Sequence, residues 1–227
     1  MQLEVTLTHA GGEKDLTLEV DKFVIAGWTG RDAAAMEHHI QELEALGIKR
    51  PATTPTFYRV AARRLTTASF IECSGPDSSG EAEAVIFSQG DKLYVGLGSD
   101  HTDRKVEAYG IAISKQVCDK PVAAEVWLFE EVADHWDQLQ VRSWLTTDQG
   151  RVLYQEGDVG GLLSPEDLRA KLAAVEPLSD GMAMMGGTLS AIGGVRSGSR
   201  FECVLIDPVL SRQISLAYDI RELPIAG

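Results

Sequence analysis

The run Glu81-Ala82-Glu83-Ala84-Val85-Ile86-Phe87 sets two carboxylates at the head of an apolar segment. In a strand, side chains two apart share a face, so Glu81, Glu83, Val85 and Phe87 point the same way. The two glutamate Cα atoms are then about 6.6 Å apart. Two like charges beside a core face are costly unless a cation lies between them, and a hard divalent ion such as Mg²⁺ takes oxygen ligands. The other reading is a strand end that reaches solvent, where two glutamates cost nothing. A third carboxylate, Asp100, follows in Gly98-Ser99-Asp100-His101-Thr102-Asp103-Arg104, where the return strand of a hairpin ends. That position brings it within reach of the pair. Asp100 and Thr102 also have the types of a turn residue and a helix N-cap.

Acid–base candidates lie on a helix upstream. At 100° per residue, Met36, Ile40 and Leu43 define an apolar face with Leu46 at its flank. His39 falls inside that stripe, Glu42 lies one turn on beside it, and His38 points away. A histidine with a carboxylate at i+3 is held in one orientation and tuned toward neutral pH. A hydrogen-bonded core histidine fits the same position.

The elements that position these groups follow from pattern. Leu3, Val5 and Leu7, then Leu16, Leu18 and Val20, alternate with polar residues around Ala10-Gly11-Gly12, which predicts an N-terminal hairpin over residues 1–22. Asp32 as N-cap, good helix formers from Ala33 to Leu46 and Gly47 at the C-cap predict a helix. From about residue 57 strands dominate. Gln89-Gly90-Asp91 turns the carboxylate hairpin, and Asp148-Gln149-Gly150 turns Leu139–Leu145 into Arg151–Gln155. Ser164-Pro165-Glu166-Asp167 starts a second helix running to about Val175. Ile214, Leu216, Tyr218 and Ile220 share one face of a final strand. Many short strands with a few helices predict one α+β domain, mostly β, on a curved or rolled sheet.

Composition narrows the function class. The 227 residues are 44% hydrophobic and carry a net charge of −13, and an acidic surface repels phosphate backbones and anionic lipid, so no nucleic-acid or membrane partner is expected. Cys73, Cys118 and Cys203 make neither an even disulfide set nor a CxxC pair, which predicts buried thiols in a reducing compartment. The opening MQLEVTLTHAGG lacks a basic leader and an apolar run, and no stretch of 18 apolar residues occurs. The expectation is a cytoplasmic protein without a signal peptide or membrane span.

Taken in order, these segments resemble the fumarylacetoacetate hydrolase superfamily. Ala26-Gly27-Trp28-Thr29 leading to His39-Ile40-Gln41-Glu42 is similar to the family's strand end and His-x-x-Glu segment. Pro55-Thr56-Phe57-Tyr58-Arg59 resembles Pro-x-x-Phe-x-Lys, and Glu81-Ala82-Glu83 resembles the Glu-x-Glu metal strand. Ser99 to Arg104 is similar to Asn-Asp-x-Ser-x-Arg, and Lys115 to a later lysine before a proline-containing strand. Tyr154-Gln155-Glu156-Gly157 resembles Arg-Gln-x-Gly, and Gly186-Gly187-Thr188-Leu189-Ser190-Ala191-Ile192-Gly193 the closing Gly-rich motif. The resemblance spans about residues 23–221. Arg59, Ser99 and Leu189 replace the family's lysine, asparagine and proline, which marks a divergent bacterial branch of unknown function.

The resemblance implies a mixed β-sandwich roll of the fumarylacetoacetate hydrolase C-terminal type. At its mouth Glu81, Glu83 and Asp100 would hold Mg²⁺ or Mn²⁺. A small 2-oxo acid or β-dicarbonyl compound would bind that ion and undergo C–C hydrolysis through a metal-bound enolate, or a lyase reaction (hydration, dehydration or decarboxylation). The remaining alternative is a binding module that kept the fold and lost catalysis, against which the retained His39-x-x-Glu42 and three acids speak. His39, oriented by Glu42, would be the general base. Arg59, Lys115, Thr188 and Arg104 would bind substrate, with Trp28, Tyr58 and Met184-Met185 near the pocket in directions the sequence leaves open. A homodimer is expected by the same resemblance.

Overall fold

Alternation of period two organises most of the chain. The computed structural model describes residues 1–45 and 50–226, with the side chains of His39, Glu42, Leu43 and Ala45 outside that description. Strands β1 (Gln2–His9) and β2 (Gly12–Glu19) pair antiparallel and bury Leu3, Val5, Leu7 and Leu18, the hairpin expected at the N-terminus. Strand β3 (Lys22–Gly27) leads to helix α1 (Ala33–Ala45). Asp32 caps α1: its Oδ1 accepts from the amides of Ala34 and Ala35 at 2.9 and 3.0 Å. Ile40 is buried and His38 exposed, as the helical stripe requires. The expected end at Leu46 and Gly47 lies outside the described residues.

Next come β4 (Thr56–Val60), β5 (Leu65–Thr66), β6 (Phe70–Ser74) and β7 (Ser78–Ser79). The carboxylate hairpin is β8 (Ala82–Gln89) and β9 (Lys92–Ser99), closed by Gly90-Asp91 with Gly90 at φ 61°, the left-handed conformation such two-residue turns need. Then follow β10 (Thr102–Asp103), the short helices α2 (Arg104–Glu107) and α3 (Ile111–Val117), β11 (Lys120–Leu128), β12 (Gln140–Thr147) and β13 (Gly150–Asp158). The last elements are α4 (Pro165–Leu172), β14 (Met182–Thr188), β15 (Arg200–Asp207) and β16 (Arg212–Leu223). Helix α4 begins as expected, with Ser164 Oγ accepting from the Asp167 amide at 3.1 Å, but ends three residues short of Val175. Beyond Leu172 the chain continues as tighter turns, with the Ala174 and Val175 amides donating to the Lys171 and Leu172 carbonyls, the i→i+3 bonds of a helix end.

Among the described residues the larger sheet runs β2-β1-β11-β9-β8-β14-β3-β4, with β5 also on β11. The second sheet runs β13-β12-β15-β16-β6. Both mix parallel and antiparallel pairs: β1 is parallel to β11, β14 to β3 and β16 to β6. Ala84, Ile86, Val95 and Leu97 of the larger sheet pack with Phe201, Leu205 and Tyr218 of the second. Its other face, carrying Val85, Phe87, Phe23, Ile25 and Met185, packs against Leu3, Val5 and Leu7 of the same sheet. The sheet is therefore rolled around a second core. β8 and β9 are apolar on both faces, as fully buried strands are.

Cys73, Cys118 and Cys203 are buried thiols outside any disulfide. No helix of the described residues is long and apolar enough to cross a membrane.

Candidate metal centre

The β8–β9 register brings the carboxylates together. Glu83 stands opposite Gly98 and Ala82 opposite Ser99, so Asp100 follows directly beyond Ala82 and its amide donates to the Glu81 carbonyl at 2.9 Å. Val85 and Phe87 lie in the inner core of the roll, so alternation along β8 aims Glu83 to that side as well. Glu81 is partly exposed, while Glu83 and Asp100 are 3% and 0% exposed. One oxygen from each of the three lies within 4.8 Å of the others.

Three cations face these three carboxylates. Lys115, on the inner face of α3, hydrogen-bonds Asp100 Oδ2 and lies 3.9 Å from Glu81 Oε2. Lys120 Nζ pairs with Asp100 Oδ1 at 3.1 Å and donates to the His101 carbonyl, with no exposed surface. Arg104 Nη2 lies 3.1 Å from Glu81 Oε1. Burial alone would raise the Asp100 carboxyl, but the two ammonium groups outweigh it and hold Asp100 well below the usual carboxylate range. The same balance holds Lys115 charged: burial lowers it, and Asp100, Glu81 and Glu83 raise it further.

Glu83 differs. Among the described residues its Oε2 accepts a backbone bond, from the Gly187 amide at 2.8 Å. Burial, followed by the Asp100 charge, pushes its carboxyl well above the ordinary value. Gly187 itself has φ +95°, and a Cβ there would lie 1.9 Å from Thr29 Oγ1. Gly187→Ala is thus expected to cost about 2–3 kcal/mol in urea unfolding, from left-handed strain plus overpacking. A loss under about 0.5 kcal/mol would contradict this close approach.

Hydrogen bonds from the second sheet hold this end of β8. Gln155, 1% exposed, accepts from the Ala82 amide at 3.0 Å and from Ser143 Oγ at 2.8 Å. Its Nε2 donates to Thr188 Oγ1 at 2.7 Å and to the Leu189 carbonyl at 2.6 Å. Beneath Asp100, buried His101 bridges Ser78 Oγ and Tyr218 OH, each at 2.9 Å, and burial keeps its imidazole below the normal value. Tyr218 OH also bonds Ser99 Oγ at 2.8 Å, and Ser99 Oγ accepts from the Glu81 amide at 3.2 Å.

The structure thus brings Glu81, Glu83, Asp100, Lys115 and Arg104 together, and it gives the partners of three residues expected to bind substrate. Arg59 leaves β4 on the face opposite Tyr58 and pairs with Glu176 at 2.5 Å, its side chain 49% exposed. Alternation places Tyr58 inward instead, with Lys115 Nζ 5.7 Å from its ring centroid and its OH accepting from Trp28 Nε1 at 3.2 Å. Arg104 directs its guanidinium to Ser79 Oγ, Glu107 and Glu81, so it orients Glu81 rather than reaching outward. Thr188 donates its hydroxyl to the Ala82 carbonyl at 2.9 Å and ties β14 to β8. Met184 and Met185 are both fully buried, one in each core. His39 and Glu42 sit on α1, and their side chains lie outside the described residues.

Lys120 and Gln155 are site residues to which the sequence assigned no role. A lysine directly before Pro121 has no local mark of burial, and Gln155 was visible only as part of the Tyr154-Gln155-Glu156-Gly157 motif.

The donor set is all carboxylate oxygen, which suits Mg²⁺, Mn²⁺ or Ca²⁺ over softer metals. Glu83, buried without an ion-pair partner at bonding distance among the described residues, is the group whose ionised form such an ion would stabilise.

No curated protein matches the chain. Solved structures do. A yeast fumarylacetoacetate hydrolase family protein aligns at 17% identity and TM-score 0.62 over 92% of this chain and 96% of its own. 2-Keto-3-deoxy-D-arabinonate dehydratase, complexed with magnesium and 2,5-dioxopentanoate, aligns at 13% identity and TM-score 0.63 over 91% of this chain and 75% of its own. 4-Oxalocrotonate decarboxylase from Pseudomonas putida G7, complexed with calcium and acetate, aligns at 16% identity and TM-score 0.58 over 88% and 76%. At these identities the likeness is one of fold, the fumarylacetoacetate hydrolase roll. The model of a family described as "Protein of unknown function (DUF2848)" matches residues 26–218, a span that includes all three carboxylates and both buried lysines, and the chain belongs to that family.

Proposed function

We propose that this protein is a divalent-metal-dependent enzyme that hydrolyses a C–C bond in a small 2-oxo acid or β-dicarbonyl compound. The observation that carries this reading is the convergence of Glu81, Glu83 and Asp100, with donor oxygens within 4.8 Å of one another at the end of the buried β8–β9 hairpin. Those residues would hold Mg²⁺ or Mn²⁺, and a bound ion supplies Lewis-acid polarisation of the 2-oxo carbonyl. Lys115 offers a positive charge to a substrate carboxylate, beside the Tyr58 ring. Arg104 and Lys120 fix Glu81 and Asp100, and Gln155 and Thr188 hold the strand that carries Glu83. His39, with Glu42 orienting it, serves as general base from α1. The second reading is a lyase, supported by the names of the dehydratase and the decarboxylase among the similar structures.

The test has two parts. Saturation with Mn²⁺ at about 100 times its Kd is expected to raise Tm by about 5–10 °C, from about 2.7 kcal/mol of linkage. Turnover of a panel of 2-oxo acids then separates the readings: two fragments mark the hydrolase, loss of water or CO₂ the lyase. His39→Ala is expected to lower kcat about 100-fold, the low end for general acid–base catalysis, and exposed His38→Ala to leave it unchanged. Absence of both a Tm shift and turnover would overturn the proposal.

A further inference from the structure

We infer that Lys115 is the resident counterion of the metal-free centre, and that its ammonium leaves Asp100 when a divalent ion binds. The inference rests on the metal reading above and goes beyond it. Lys115 Nζ hydrogen-bonds Asp100 Oδ2 and lies 3.9 Å from Glu81 Oε2, among the same oxygens that would ligate the ion. A monovalent and a divalent cation at such separations repel twice as strongly as two monovalent ones. One of the positive groups must therefore give way.

The other two cations are anchored elsewhere. Lys120, fully buried, also donates to the His101 carbonyl, and its partner oxygen on Asp100 is Oδ1. Arg104 is held by Ser79 Oγ at 2.7 Å and Glu107 Oε2 at 2.9 Å. Lys115 directs its polar contacts to the carboxylates, and the Tyr58 ring, 5.7 Å from Nζ, offers a cationic group a second resting place. A lysine stem has the rotamer freedom for such a move, whereas the forked, multiply bonded Arg104 does not. In the free protein Lys115 holds Asp100 and Glu81 together. In the loaded protein the same charge turns toward the substrate side.

The experiment is Mn²⁺ calorimetry on the full chain with wild type and Lys115→Met. Lys115→Met is expected to bind Mn²⁺ about tenfold more tightly, since no ammonium competes for the oxygens, and to melt at a lower temperature without metal. Unchanged or weaker Mn²⁺ affinity in a folded variant would overturn the inference while leaving the metal centre intact. A wild type that binds no Mn²⁺ would overturn both. Should Lys115→Met not fold, lysine-ammonium NMR on ¹⁵N-labelled wild type decides. On adding Mg²⁺ the Lys115 signal is expected to shift and lose protection while that of Lys120 persists. An unmoved Lys115 signal with Mg²⁺ bound would refute the displacement.

Discussion

Glu83→Gln is expected to weaken Mn²⁺ binding by more than about 100-fold while metal-free Tm holds or rises. Changes to groups behind a metal ligand cost 10–100-fold, so removing the charge of a ligand itself costs more. Stability should not suffer. The amide oxygen of glutamine can still accept the Gly187 N–H that Glu83 receives at 2.8 Å, and glutamine is neutral, like the protonated carboxyl that burial and the Asp100 charge favour at this position. Calorimetry and a thermal melt check the two halves together. Mn²⁺ affinity within about threefold of wild type would exclude Glu83 as a ligand.

Lys120→Met is expected to destabilise the metal-free protein by about 3–5 kcal/mol in urea unfolding, because it strands Asp100 as a buried carboxylate with one of its two partners gone. Asp100 and Lys120 are both fully buried and 3.1 Å apart. For a chain of this length that is about 6–20 °C in Tm. Lys120→Met with Asp100→Asn should recover most of the loss, because the pair then disappears together. A single-variant cost below about 1 kcal/mol would show that Lys115 alone compensates Asp100.

Much of this centre was legible in the sequence because it is local. The hairpin from Glu83 through Gly90-Asp91 to Ser99 is a period-two pattern with a turn at its middle, and that geometry alone returns Asp100 to Glu81. The helix carrying His39 announced itself through Asp32 at its cap. What the sequence leaves unplaced depends on distant partners or a one-residue offset. The resemblance set Arg59 in the place of a family lysine, but β4 alternates, and the inward residue is Tyr58. The helix N-cap offered at Thr102 falls one residue early: the cap of α2 is Asp103, whose Oδ1 accepts from the Val106 amide at 2.9 Å. Lys120 is buried only because Asp100, twenty residues upstream, faces it, and no local pattern carries that information.

Strand β8 has a further consequence. It is covered on both faces and bonded along both edges, to β9 and to β14. Segments of that kind are the last to open to solvent. Two of the three acids therefore stand on or directly beside the least yielding ground in the molecule, so heat or denaturant dislodges that pair late, when the sheet itself melts.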